Sequence, residues 1–343
     1  MAKVVVDEQP QALTQAPLCP PWFTDAYQHV LSRHATGKLP HALLLSGAAD
    51  IGKRWFAESV VRTLACRQPN SSPVPAPCGE CTSCAQLSVG SSAEFRYLQP
   101  AGKSHTIRID PVRDLVTWLQ LSANAGRYRI ALISGADTMN RAAANALLKT
   151  LEEPSQWSIC LLVADNPAQL PPTIISRCQR LPLAVENQDI AIKWLTTQLS
   201  SATDAAAAYR QARGAPLRAI RESSPEWETQ QAAIDAAWWN LLLHKRSVGA
   251  IADSLKEVPL SVCLARFLTL SAAVISHRQG ASQFSPLKSF SSEQNNAVER
   301  VDSVQWFTIH DQLQRLYRID SASFKTQTVL EGFLADTRLK ING

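Results

Sequence analysis

The stretch that most narrows the possible folds is Gly47-Ala48-Ala49-Asp50-Ile51-Gly52-Lys53-Arg54, which lies between an apolar run and a helical pattern. The run before it, Ala42-Leu43-Leu44-Leu45-Ser46, is short and continuous, as a strand buried on both faces reads. After it, residues 52–65 carry Phe56, Val60, Val61 and Leu64 at helical spacing. Strand, glycine-rich loop and helix with the spacing G-x-x-x-x-G-K are the parts of a phosphate-binding P-loop. Its glycines let backbone N–H groups curl around phosphate, and the helix N-terminus adds a favourable dipole. A working P-loop follows its lysine with Ser or Thr, whose hydroxyl holds Mg2+. Here Arg54 takes that place, and a guanidinium cannot ligate a cation. Gly47, Gly52 and Lys53 are therefore read as the remnant of a nucleotide cradle, with ATP not expected in it.

Strands and helices continue to alternate. Apolar runs at 130–133 and 159–163 predict two more buried strands. Between them, residues 141–151 place Ala144, Leu147, Leu148 and Leu151 on one helical stripe, which Pro154 ends. Another helix runs through Val112, Leu115, Val116 and Leu119, and one near Phe23 puts Tyr27, Val30 and Leu31 on one face. The pattern predicts an α/β domain with a mostly parallel sheet. In an active P-loop ATPase the strand at 130–133 would end in acidic residues that serve Mg2+ and the attacking water. Ser134 and Gly135 can do neither, and Asp137 reads as a capping or solvated carboxylate. A second part of the metal site is missing.

Four of the eight cysteines, Cys66, Cys78, Cys81 and Cys84, follow the spacing C-x11-C-x2-C-x2-C. Thiolates this close predict a structural Zn2+ module over residues 66–84, outside the sheet on a Pro- and Ser-rich excursion. Beyond Leu183 strand signals cease. Helices are predicted at 191–199 and 205–212, with a break at Gly214-Ala215-Pro216, and several more follow from Trp227. Arg218, after that break, either faces a nucleotide pocket or is a solvated charge on a linking turn. The chain thus divides into a flexible leader over 1–16, an α/β domain over 17–182, a small helical domain over 183–222 and a helical domain over 223–343.

Composition excludes little but does exclude some classes. With 45% hydrophobic and 18% charged residues, the 343-residue chain has ample core and is not generally disordered. Its net charge of +5 arises wholly before residue 223, a mild bias toward polyanions. Arg113, Arg127, Arg129 and Lys149 are candidates for DNA phosphate contact, although each alone reads as an ordinary surface charge. No run of about 18 apolar residues is evident, and the N-terminus has no signal-peptide core, so a cytoplasmic protein with reduced cysteines is expected.

A further motif, Ser176-Arg177-Cys178, follows Leu170-Pro171-Pro172-Thr173-Ile174-Ile175. Taken in order with Leu39-Pro40-His41-Ala42-Leu43-Leu44, the P-loop remnant, the cysteines, and the run from Ala142 through Leu147-Leu148-Lys149-Thr150-Leu151-Glu152-Glu153 to Pro154, it carries a resemblance. Over about residues 20–222, and more loosely beyond, the chain resembles the bacterial AAA+ clamp-loader family of DNA polymerase III. The resemblance implies an AAA+ domain, a helical lid and a helical collar. It also implies a place in a hetero-pentamer with motor subunits and a delta subunit, which loads the sliding clamp onto primer–template DNA. The lost metal ligands select a non-hydrolysing, stator-type member, not an enzyme by itself, and no membrane partner. By the same resemblance Arg177 is an arginine finger offered to a neighbouring ATPase, and the four cysteines hold Zn2+. Val163-Ala164-Asp165-Asn166-Pro167 lacks the paired threonines of motor subunits. The first cysteine gap is longer than the family's usual one. An active motor-type ATPase is the alternative, but it would need a hydroxyl at 54 and carboxylates near 134–135. A zinc-containing DNA-binding protein unrelated to loading is a third.

Overall fold

A computed structural model describes residues 19–70, 74–101, 106–121, 128–200, 203–280, 291–318 and 326–342. The leader expected over 1–16 and Arg127 lie outside these. The chain separates into two compact units, divided between Ser223 and Ser224.

The first unit is built on five parallel strands, β1 (Ala42–Ser46), β2 (Phe95–Leu98), β3 (Arg129–Ser134), β4 (Ser158–Ala164) and β5 (Gln179–Pro182), in the spatial order β2-β3-β4-β1-β5. Side chains alternate across a strand, so the central runs fill two cores at once. Leu43, Leu45, Ile130, Leu132, Ile159, Leu161 and Val163 point to one face, where helices α1 (Thr24–Ala35) and α2 (Lys53–Ala65) cover them. Ala42, Leu44, Ala131, Ile133, Cys160 and Leu162 point to the other, against α4 (Ile109–Leu119) and α5 (Arg141–Glu152). The short α3 (Thr82–Ser88) belongs to the cysteine region. Helix α5 starts where the Asn140 side chain accepts the Ala143 N–H at 2.8 Å, and it stops before Pro154. Of its expected stripe, Leu148 is only half-buried.

The predicted strands are β1, β3 and β4, the buried middle of the sheet. The two edge strands, β2 and β5, escape a search for apolar runs. Phe95-Arg96-Tyr97-Leu98 is half-buried throughout, and Gln179-Arg180-Leu181-Pro182 is mostly exposed and ends in proline.

Three lid helices, α7 (Gln188–Gln198), α8 (Ala205–Gln211) and α9 (Pro216–Glu222), follow the sheet. Their buried Trp194, Leu195, Ala208, Tyr209 and Ala219 run into the same core as α1 and α2. The register decides where chemistry can occur. Ser46 lies opposite Ala164, and Ser134 opposite Val163, so the loops leaving β1, β3 and β4 meet at one carboxyl edge.

The second unit is all helical: α10 (Pro225–Leu242), α11 (Val248–Ser254), α12 (Leu260–Arg278), α13 (Ser292–Arg300), α14 (Ser303–Arg318) and α15 (Thr326–Asn342). Its core gathers around Trp238, Phe267, Trp306 and Phe333, with Trp238 and Phe267 at 5.2 Å and Phe267 stacked on Phe333 at 5.9 Å. Arg266 on α12 makes a two-pronged pair with Asp235 on α10, both contacts 2.6 Å. One expectation needs correction here. Helix α12, with 19 residues, is by length and composition apolar enough to cross a membrane. The sequence reading missed it because Ser261, Arg266, Ser271 and His277 interrupt its apolar residues. In the fold Leu260, Cys263, Leu264, Phe267, Leu270 and Val274 of this helix are spent on the core.

Candidate functional site

The loop between β1 and α2 has the backbone of a phosphate cradle. At Gly47 an added Cβ would lie 2.2 Å from the Leu183 carbonyl oxygen, because β5 runs on past the loop at that point. Gly52 begins α2 at φ 94°, and Pro20 packs against it. Asp50, at the crest, also takes the left-handed conformation at φ 61°, which is uncommon outside glycine. Three contacts from outside hold the crest in place: Trp22 Nε1 donates to the Ile51 carbonyl at 2.8 Å, the Leu217 N–H donates to the Asp50 carbonyl at 3.1 Å, and the Asp50 side chain is gripped by α9.

That grip is ionic. Arg221 donates to both carboxylate oxygens of Asp50, at 3.1 and 3.0 Å, and Arg218 Nε adds a third bond at 3.2 Å. Of the two readings open for Arg218, then, it faces the loop, but it faces the loop's own aspartate. Burial works against the Asp50 charge. Hydrogen bonds and charge from Arg221, then Arg218, outweigh it and hold the carboxyl below the usual carboxylate range. A carboxyl lowered by folding contributes stability above its unfolded value, and that stability is lost as the pH falls through the folded one. Asp50→Asn should therefore cost the first unit about 1–3 kcal/mol at neutral pH. The gap should close as the pH is taken below ~3.9. Denaturant titrations of both chains in neutral and acid buffer check this; a gap that persists in acid would mean shape, not charge, holds the crest.

Lys53 is 4% exposed, and an unpaired ammonium so placed would cost several kcal/mol. It is paired, with Asp165 just past β4 at 2.6 Å, and it donates to the Ala48 carbonyl at 2.5 Å. Asp165 is set by Asp137, whose Oδ2 accepts the Asp165 and Asn166 N–H groups at 3.1 and 2.7 Å. Asp137 is thus a capping carboxylate, with burial pushing its own carboxyl upward. Arg54 turns away from the cradle, bonding Glu58 at 2.8 Å and stacking 4.9 Å over the Tyr97 ring. No hydroxyl stands in its place, and β3 ends at Ser134, with Gly135 next.

Around the cradle three indoles meet: Trp22, Trp55 on α2 and Trp194 on α7, with centroids 5.1 to 6.0 Å apart. They join the lid to the sheet's covering helices by apolar contact. Sequence reading missed this cluster, along with Asp50 and Asp165. The aromatics are spread over more than 170 residues, and no local spacing flags them.

The Ser176-Arg177-Cys178 turn is anchored from beneath. Leu170, Ile174 and Cys178 are buried four residues apart, which leaves Ser176 and Arg177 facing out beyond α6 (Pro172–Ile175). Arg177 Nη2 meets Glu152, at the end of α5, at 2.6 Å, and Nη1 donates to the Thr173 carbonyl at 3.0 Å. The two side chains are 34% and 47% exposed, so this is a pair at the surface worth at most about 1 kcal/mol. The guanidinium is accessible and cheaply released. Of the other cations considered, Arg113 makes only a long 3.8 Å contact with Asp110, and Arg129 lies over the Trp118 ring.

The four expected cysteines do converge. Cys66 caps the end of α2, Cys81 precedes α3, and Cys84 lies within it. All four sulfurs lie within 4.8 Å of one another, with Cys66–Cys78 at 3.5 Å and both Cys66–Cys81 and Cys78–Cys84 at 4.0 Å. A tetrahedral ion with metal–sulfur bonds of about 2.3 Å needs sulfur–sulfur edges of about 3.8 Å. The cluster fits. Backbone N–H groups of Cys78 and Cys81 point at the sulfurs of Cys66 and Cys78, at 3.2 and 3.3 Å, as thiolate ligands require. Bound there, Zn2+ would serve structure, since four sulfur ligands leave no open position.

What survives of the nucleotide machinery defines a class: a P-loop α/β layer carrying a helical lid is the AAA+ architecture of clamp-loader subunits. The DNA polymerase III, delta subunit family matches residues 23–187. DNA polymerase III subunit delta' of Pseudomonas aeruginosa is 33% identical over 242 residues, covering 69% of this chain and 72% of that protein. The Escherichia coli subunit of the same name is 28% identical over 232 residues, covering 65% and 69%. Escherichia coli DNA polymerase III subunit tau is 32% identical over 170 residues, covering 48% and 26%. The chain belongs to the DNA polymerase III delta' family.

Proposed function

We propose that this chain is the non-hydrolysing, stator subunit of a bacterial clamp loader. In this reading it joins ATP-driven motor subunits and a delta subunit in a cytoplasmic hetero-pentamer. The assembly opens the sliding clamp and places it on primer–template DNA, and this chain presents Arg177 to its neighbour's nucleotide. One observation carries the reading: the cradle's lysine, Lys53, is buried and paired within the chain, while Arg177 is held by a surface pair on an anchored turn. Lys53 is committed to Asp165 and Arg54 to Glu58, and β3 ends at Ser134 with Gly135 after it, while the nearby Asp137 is occupied in capping the Asp165 and Asn166 N–H groups. Hydrolysis needs a metal clamp on the β- and γ-phosphates, and the hydroxyl expected at position 54 and the carboxylates expected at 134–135 are both missing.

Arg177 needs none of that. A guanidinium delivered in trans to a γ-phosphate stabilises the charge that builds up as the bond to the leaving group breaks. Its pair with Glu152 is weak enough to be exchanged for phosphate, and the buried Cys178 keeps the turn from moving as the exchange occurs. The converging cysteines fix the excursion between α2 and α3, with Zn2+ as the structural ion.

Turnover of ATP with Mg2+ is the direct test. The isolated chain is expected to show none, and its addition to the motor subunits is expected to raise theirs. Robust Mg2+-dependent turnover by the isolated chain, in proportion to its concentration through purification, would make it a motor-type ATPase and overturn the reading.

A further inference from the structure

The P-loop in this chain retains its lysine, and the lid retains two arginines beside it. These are the cations that a polyphosphate would seek. Each is already answered by a carboxylate: Lys53 by Asp165 at 2.6 Å, and Arg218 and Arg221 by Asp50 at 3.0 to 3.2 Å. We propose that the cradle is filled by the chain itself, with Asp165 and Asp50 standing where phosphate groups would bind, so that the lid is fastened to the loop with no nucleotide. This inference rests on the non-hydrolysing role proposed above and gives it a structural cause.

The geometry makes the filling specific. Asp50 sits on the crest of the loop, within the sequence that would wrap the phosphates, and its left-handed backbone coincides with a side chain laid across Arg221 in a two-pronged pair. Asp165 comes from the strand beside β1, and Asp137 fixes the backbone that carries it. The Lys53 ammonium is almost wholly buried under that contact, and its second bond goes to Ala48 in the loop itself. An entering polyphosphate would have to expel both carboxylates and part the lid from the crest. In a nucleotide-dependent P-loop protein the loop lysine reaches the ligand's phosphates, and ligand binding can drive closure of a lid over it. Here the closing anions are covalent parts of the chain. The clamp is therefore permanent, which suits a subunit whose neighbours do the moving.

The experiment uses the full chain and three variants: Asp165→Asn, Asp50→Asn and the double variant. Binding of inorganic tripolyphosphate, and of ATP in the presence of EDTA, is measured by calorimetry, with thermal melting on the same samples. The native chain should bind neither detectably, and neither ligand should move its melting temperature. The double variant, with two negative charges removed from a cationic cradle, should bind tripolyphosphate at least about tenfold more tightly and melt higher when the ligand is present. Should the double variant not fold, Asp50→Asn alone decides: its expected cost to stability is small, Lys53 keeps its partner Asp165, and a gain of binding from the freed Arg218 and Arg221 is still expected. Binding by the native chain as tight as by the variants would overturn the proposal, as would folded variants that gain nothing. Hydrolysis is followed in parallel. Tight binding by the native chain without turnover sinks the filled cradle and leaves the stator role standing, whereas turnover by the native chain sinks the role itself.

Discussion

Replacing Arg177 by alanine should leave the fold intact and lower ATP turnover at the single site it serves by about 10^3-fold or more, the scale of an arginine delivered in trans. The fold is spared because Arg177 is on the surface and its pair with Glu152 is worth at most about 1 kcal/mol. The buried residues of the turn, Leu170, Ile174 and Cys178, are untouched. In the reassembled loader the other sites continue, so total DNA-stimulated turnover should fall less than the site-specific rate. Single-turnover measurements on loaders with one competent site separate the two. Arg177→Lys is the informative control. Lysine keeps the charge but lacks the planar fork that meets two phosphate oxygens, so it should recover only part of the loss. Turnover and clamp loading unchanged by Arg177→Ala, at saturating subunit, would remove the finger role and leave the turn as a surface feature.

Removing the metal should have the larger structural effect. The chain is expected to purify with about one zinc ion, and chelation or Cys81→Ser should unfold the excursion between α2 and α3 while the sheet survives. Helix α3 has seven residues, far below what sustains a helix by itself in water. Among the described residues, the excursion is tied to the body by partly buried Val74 and Leu87, the buried Ser83 of α3, and a Tyr27 hydroxyl bonded to the Pro75 carbonyl at 3.3 Å. Four zinc–thiolate bonds are on the order of 10–16 kcal/mol in small zinc modules, so the ion decides the outcome. Limited proteolysis, with zinc content measured on the same sample, should show cleavage within residues 66–90 rising by orders of magnitude once the ion is gone. A metal-free chain that is as well protected as the native one would show that the cysteines are dispensable for structure.

How far such features can be seen in sequence depends on their range. The central strands were legible because a strand buried on both faces must be apolar without interruption, as 43–45, 130–133 and 159–163 are. Edge strands β2 and β5 escape the same test since half their surroundings are water, which tolerates Arg96, Gln179 and Arg180. The cysteines were legible because ligand spacing is local chemistry. The departures from a working nucleotide site could be read at Arg54 and Ser134 for the same reason. The ion pairs of the loop could not: Asp50 meets Arg221 from 171 residues away, and Lys53 meets Asp165 only because β1 and β4 are neighbours in the sheet. Pairing across a fold leaves no periodic trace, and an aspartate in a loop reads as solvated until the partner is placed. Helix α12 was missed for a different reason, because polar residues interrupt its apolar run. Average hydropathy makes it long and apolar enough for a bilayer, and only the positions of Phe267 and Leu270 within the helical core explain where that apolarity goes.

The meeting of Trp22, Trp55 and Trp194 has an optical consequence. Three of the chain's nine indoles are held at fixed, mutually tilted angles where the lid joins the sheet's helical cover. Aromatic rings in rigid asymmetric surroundings produce near-ultraviolet dichroism, which fades when tertiary packing loosens even while helices persist. The junction therefore signals its own integrity in absorbed and emitted light.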